Sequence, residues 1–214
     1  MSGGGDDRVV VVGHPLVRHK LGLLRDRTTT TRDFRALMGE LGAFLCYEAT
    51  RELEVEPARV ETPLATAAAW RVSGKKLGVV AVLRAGMGML DAVLALVPVA
   101  RVGFVGLYRD EQTLQPVEYY CKLPGDLAER DVLVLDPMLA TGGSAAAALR
   151  MCRERGARRL SLLSVVAAPE GIARVRTSHP DVTIYTCAVD DGLNADGYIL
   201  PGLGDAGDRL YGTR

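Results

Sequence analysis

Runs of consecutive apolar residues recur along the later two thirds of the chain: LGVVAVL from Leu77, RVGFVGLYR from Arg101, DVLVLD from Asp131, LSLLSVVAA from Leu160 and VTIYTCAV from Val182. They lack the polar alternation of a strand with one wet face, so each reads as a strand buried on both sides. Between them lie segments of helical character. RAGMGMLDAVLALVP is a turn and helix closed by Pro98, and a helix starting at Gly143 or Ser144 runs to Arg155 with Gly156 as its C′ residue. PEGIARVRTSH follows as another helix. Strands alternating with helices over this length predict an α/β fold built on a parallel, doubly wound sheet. Upstream, Val9–Val12 is a short apolar run, and the chain turns helical after Pro15. Phe34, Leu37, Met38, Leu41 and Leu45 then form the stripe of an amphipathic helix, with Thr31 as its expected N-cap and Asp33 in its first turn. Residues 110–126 are polar with aromatics and prolines, and read as an excursion or hairpin. No repeat or linker divides the chain, so residues 1–214 are expected to form one domain.

Composition narrows the function classes. The chain is 48% hydrophobic and 24% charged, a globular balance. Its 26 Lys and Arg offset 26 Asp and Glu, so no global field favours nucleic acid or an anionic membrane. The local cluster Arg153, Arg155, Arg158 and Arg159 reads as a solvated helix end. Cys46, Cys121, Cys152 and Cys187 are widely spaced without a C-x-x-C, which points to free thiols rather than a metal site or disulfide framework. MSGGGDDR is unlike a signal peptide and no long apolar run occurs, so a cytoplasmic protein is expected.

The chemistry centres on VLVLDPMLATGGSAAAALR, residues 132–150. A buried strand stops at Asp136, a loop of Pro137, Met138, Leu139, Ala140, Thr141 and Gly142 follows, and a helix opens at Gly143 or Ser144. In doubly wound sheets ligands bind at the carboxyl ends of strands. Unpaired N–H groups at a helix start suit a phosphate, and Gly142 and Gly143 let the backbone approach closely. Thr141 and Ser144 add hydroxyls. The loop lacks the Lys of a nucleotide triphosphatase loop. Asp136 suits sugar hydroxyls beside the phosphate. An ordinary strand–helix turn with a capping hydroxyl is the competing reading. Arg84 and Arg109 also follow strand ends, where each can reach a ligand's phosphates or serve as a surface ion-pair partner.

PGLGDAG matches G-x-G-x-x-G at Gly202, Gly204 and Gly207. Too few residues follow it for the helix and distant acid of a dinucleotide site. A structured loop offering backbone groups to a flat ligand competes with a plain packed tail. Asp190, Asp191, Asn194 and Asp196 do not fit the spacing of a calcium loop.

Taken together, HPLVRHKLGLLRD, VLRAGMGM, VLVLDPMLATGGSA, AAPEGI, HPDVTIYT and GLNADGYILPGLGDAGDRLYGT resemble the uracil phosphoribosyltransferases, from His14 to the C-terminus. The resemblance implies a type I phosphoribosyltransferase fold, with a small hood contributed by N-terminal and C-terminal segments. It implies transfer of the phosphoribosyl group of 5-phosphoribosyl diphosphate (PRPP) to uracil, giving UMP and diphosphate. Mg2+ is the implied cofactor, carried mainly by PRPP and by no protein side chain. PRPP contacts fall on Asp136–Ser144, Arg84, Arg109 and Asp205. Uracil contacts fall on Ile199, Gly204, Asp205 and Ala206. Arg84 and Asp205 are the residues to test for catalysis. Many relatives place two acids where this chain has Asp136–Pro137, so one carboxylate serves the ribose hydroxyls, as in the uracil branch. The family further implies a homo-oligomer and, in some members, GTP as an activator. Stretches 59–73 and 110–126 follow the family less closely.

Two rival readings keep the same fold. One is a phosphoribosyltransferase for orotate or a purine, although 190–207 lacks the Lys or Arg that orotate's carboxylate would ask for. The other is a pyrimidine-responsive regulator that binds RNA, which would want a basic face that a net charge of +0 does not suggest.

Overall fold

The computed structural model describes residues 8–74, 77–109 and 116–213, with Arg109 and Pro116 by their backbone alone. Strand β1 (Val9–Val11) leads to helices α1 (Pro15–Arg25) and α2 (Thr31–Ala49). A hairpin of β2 (Val55–Glu61) and β3 (Thr66–Val72) precedes β4 (Leu77–Leu83), α3 (Met87–Leu96), β5 (Arg101–Arg109) and β6 (Pro116–Lys122). Then come β7 (Asp131–Leu135), β8 (Met138–Leu139), α4 (Gly143–Glu154), β9 (Arg159–Ala167), α5 (Pro169–Ser178) and β10 (Thr183–Val189). The chain finishes with β11 (Gly192–Leu193), β12 (Ile199–Leu200) and the short α6 (Ala206–Tyr211).

The expected parallel sheet is present. Its order is β1-β10-β9-β7-β4-β5-β6, with β8 added beside β9, and every pairing is parallel except β5 with β6. Alternate residues of each central strand face opposite ways. Val79, Leu133, Leu135, Leu163 and Val165 join a core with α1, α2 and α3, while Val80, Val132, Val134, Leu160 and Leu162 join one with α4 and α5. Both faces are therefore dry, which is why these strands read as unbroken apolar runs.

Three sequence expectations need correction. The cap of α2 is Thr30, whose hydroxyl accepts the Asp33 N–H at 3.2 Å, and not Thr31. Adjacent threonines are equivalent to pattern reading, and only backbone geometry separates them. The 136–142 loop is not all turn: beyond Pro137 the chain rejoins the sheet as β8, where the Pro137 carbonyl accepts the Val165 and Val166 N–H groups. A helix does follow the C-terminal glycines, because Asp205 caps the single turn and a half of α6. The 110–126 excursion is a hairpin arm where described, and residues 110–115 lie outside the described residues.

Candidate active site

The strand order fixes where a ligand can sit. From β4 the chain moves outward to β5, then returns to the other side of β4 as β7 and continues through β9 to β10. That reversal opens a crevice between the carboxyl ends of β4 and β7, where neighbouring connections leave in opposite directions. Arg84 follows the first strand and Asp136 the second. A cavity of about 310 Å3 lies there, and its walls include Arg84, Asp136, the loop from Met138 to Ser144, Asp205, Ala206 and Gly207. A larger hollow of about 550 Å3 lies at the opposite, amino ends of the strands, around Leu77, Asp131, Arg159 and Thr183. Two of its carboxylates are already paired, Asp131 with Arg159 and Asp181 with Arg153. The smaller cavity, by contrast, holds the start of α4, which no side chain caps.

The N-cap of α4 is Gly142, at φ 74° and ψ 0°, a left-handed conformation that a glycine adopts without a Cβ penalty. No side chain caps the helix. The first N–H groups are thus free to meet an anion, reinforced by the positive end of the helix dipole. The loop is pressed against the start of α5: a Cβ at Gly142 would lie 2.8 Å from the Gly171 carbonyl, and one at Gly171 would lie 2.4 Å from the Ala140 carbonyl. Backbone packs on backbone there, and the loop's shape follows from it.

Asp136 anchors the other side. Its N–H donates to the Leu163 carbonyl at 3.1 Å, and its own carbonyl accepts the Ser164 hydroxyl at 2.6 Å. Burial pushes its carboxyl up to about 7, against the opposing pull of a hydrogen bond from the Met138 N–H. Arg84 projects at the rim with its side chain 56% exposed. It lies 3.8 Å from the Asp208 carboxylate and over the Tyr211 ring, and its carbonyl accepts the Tyr211 hydroxyl at 3.1 Å. Asp205 lines the cavity while its Oδ1 accepts the Asp208 N–H at 2.8 Å.

Most of the residues expected from sequence are brought together. Pro137 is buried and does not line the cavity, and Gly204 stands exposed at φ 79° next to the lining residue Asp205. The side chain of Ile199 is buried in the core, which leaves only its backbone for a ligand. Arg109 ends β5 at the carboxyl edge of the sheet, and its side chain lies outside the described residues. Leu107, Val82 and Ala85 line the cavity without having been singled out. The first two are inward positions of named strands and carry no motif of their own. The three buried cysteines offer no nucleophile: burial pushes Cys46 up to about 11 and both Cys152 and Cys187 up to about 12.

A profile of the uracil phosphoribosyltransferases matches residues 11–213. The chain belongs to the uracil phosphoribosyltransferase family. It is 55% identical over 206 residues to the uracil phosphoribosyltransferase of Thermoanaerobacter sp. (strain X514), covering 96% of this chain and 98% of that one. It is 56% identical over 207 residues to that of Clostridium botulinum (strain Eklund 17B / Type B), covering 97% and 99%. Among solved structures, the AQ2163 protein from Aquifex aeolicus superposes with a TM-score of 0.91 at 39% identity, covering 96% of this chain and 98% of that one. Family membership accounts for the α/β fold.

Proposed function

We propose that the chain transfers the phosphoribosyl group of PRPP to uracil, forming UMP and diphosphate. The observation that carries this reading is the cavity itself, in which an uncapped helix start faces Asp136 and the Asp205–Gly207 turn. The loop amides, with the Thr141 and Ser144 hydroxyls, hold the 5-phosphate and so fix the ribose in place for attack by the pyrimidine nitrogen. Asp136 accepts the ribose hydroxyls. As diphosphate departs, positive charge grows on the ribose and negative charge on the leaving group. Arg84, at the rim and preceding a glycine turn, stabilises the departing charge, and Arg109 is proposed to join it. Uracil lies against the C-terminal turn, where backbone groups of Ile199 and Gly204–Ala206 match its alternating carbonyl and N–H edge. Cytosine would leave some of those groups unpaired.

Mg2+ fits this site as a passenger of the substrate. Asp136 and Asp205 are the carboxylates of the cavity, and no group of three or more His, Cys, Asp or Glu able to hold a metal ion occurs among the described residues. Bound to PRPP, the ion would offset diphosphate charge. The proposal extends to a cytoplasmic setting, which suits free thiols, and to a homo-oligomer. No described helix is long and apolar enough to cross a membrane. GTP activation is proposed from the family alone.

The test is formation of labelled UMP from uracil, PRPP and Mg2+, with cytosine, orotate and hypoxanthine in parallel and GTP added in a second series. Product from uracil alone supports the reading, and Arg84→Ala should then lower the rate about 10²–10³-fold, as loss of a charge-stabilising donor does. Absence of product from every base, with PRPP still bound, would sink it in favour of an RNA-binding regulator.

A further inference from the structure

The loop that carries the base contacts is held from behind by two guanidinium groups that do not line the cavity. Arg25, at the end of α1, makes a two-pronged bridge to Asp190, with contacts of 2.5 and 2.8 Å. Asp190 follows β10 and is only 8% exposed. The same carboxylate accepts the Gly202 N–H at 3.0 Å, and the same guanidinium donates to the Gly202 carbonyl at 2.6 Å. One ion pair therefore engages both polar groups of a single loop residue. The next carbonyl, that of Leu203, accepts from Arg209 at 2.9 Å. Arg209 also donates to the carbonyls of Leu24 at 2.8 Å and Asp26 at 2.5 Å, and lies over the Phe34 ring at 4.3 Å. The loop is thereby fastened to the carboxyl end of α1, more than 170 residues away in sequence.

Such fastening has a reason. Gly202 and Gly204 adopt φ of 59° and 79°, and a glycine-rich stretch has little preference of its own for one shape. Backbone groups read a flat base edge only if they are held to about 0.5 Å. A buried ion pair contributes little net stability against an apolar substitute, and fixing one arrangement is its best-attested use.

We propose that Arg25, Asp190 and Arg209 are positioning residues that set base specificity, by holding the backbone of residues 199–204 in register with the edge of the pyrimidine. This rests on the uracil reading above.

Steady-state kinetics of Arg25→Lys, Arg209→Lys and Asp190→Asn test it. Lysine keeps the charge but cannot make the forked contact. The KM for uracil should rise about tenfold with kcat nearly unchanged, the signature of lost uniform binding. Preference for uracil over cytosine should fall by a similar factor, while the Kd for PRPP alone stays within about twofold. An unchanged uracil KM and preference, or equal losses for uracil and PRPP, would overturn the positioning role. Asp190→Asn leaves the half-buried Arg25 without its charge partner; if it does not fold, the two lysine variants decide. A wild-type chain that makes no UMP overturns the uracil reading and this role with it, whereas UMP formation with indifferent variants overturns this role only.

Discussion

At the scale of one residue, Asp136 is where structure and chemistry pull apart. Its unfolded carboxyl ionises near 3.8, whereas burial holds the folded one protonated up to about 7. Between those values the unfolded chain binds fewer protons than the folded one, so ionisation opposes folding increasingly as pH rises from about 4 to about 7, and the cost is constant above. Asp136→Asn removes that cost. Its melting temperature should exceed that of the wild type by several degrees at pH 8, with the difference shrinking steadily towards pH 4. Thermal denaturation across that range checks it, and a pH-independent difference would show that the carboxyl is ionised throughout. The position was legible because an acid ends a buried strand; its protonation was not, because that depends on the walls around it. Arg25, Asp190 and Arg209 were illegible as a unit for a related reason. Their partners are backbone carbonyls and each other across most of the chain, and no local pattern marks such a contact.

At the scale of elements, helices with one dry face and strands with two were readable from periodicity alone. The β2–β3 hairpin was not. Its strands, VEPARVE and TAAAWRV, are largely exposed on both faces, and Pro57 interrupts the first, so neither alternation nor an apolar run betrays them. The loop between Asp136 and Ser144 was readable as a loop, yet its contact with α5 is visible only in three dimensions. Gly171→Ala would place a Cβ 2.4 Å from the Ala140 carbonyl and 2.7 Å from that of Leu139. Backbone cannot step aside as a side chain can, so a loss of about 1–3 kcal/mol is expected, as for overpacked interiors. Because the displaced atoms belong to the loop proposed to hold the phosphate, the KM for PRPP should rise more than that for uracil. Gly22→Ala is the control. That glycine lies within α1 with nothing within 4 Å of a new Cβ, and the change should stabilise by about 0.5–1 kcal/mol without altering either KM. Equal kinetic behaviour of the two variants would remove the case for the α5 contact shaping the loop.

At the scale of the molecule, the sheet order places the site, and the hairpin sets a question of assembly. Among the described residues, β2 and β3 pair with each other and with no strand of the main sheet. A two-stranded ribbon is marginal in water without a third strand or a packed face. This one also exposes Leu64 at 97%, Trp70 at 70%, Val55 at 52% and Val60 at 47%. Val55 and Trp70 share one face of the ribbon, Val60 lies on the other and Leu64 is in its turn, and exposed apolar residues of this kind suit a surface that another chain covers. The occupant we propose is a second copy of the same chain, in line with the expected homo-oligomer, since a self-complementary arm closes a symmetric pair without any other component. Light scattering coupled to size exclusion should give a multiple of the 22.9 kDa chain mass, and Leu64→Asp with Trp70→Ala should shift it toward one chain. The α/β body does not depend on the hairpin for its cores, so the far-ultraviolet circular dichroism of that variant should stay nearly unchanged. A wild type that elutes as one chain, or a double variant with the assembly intact, would show that the arm's apolar residues do not hold copies together.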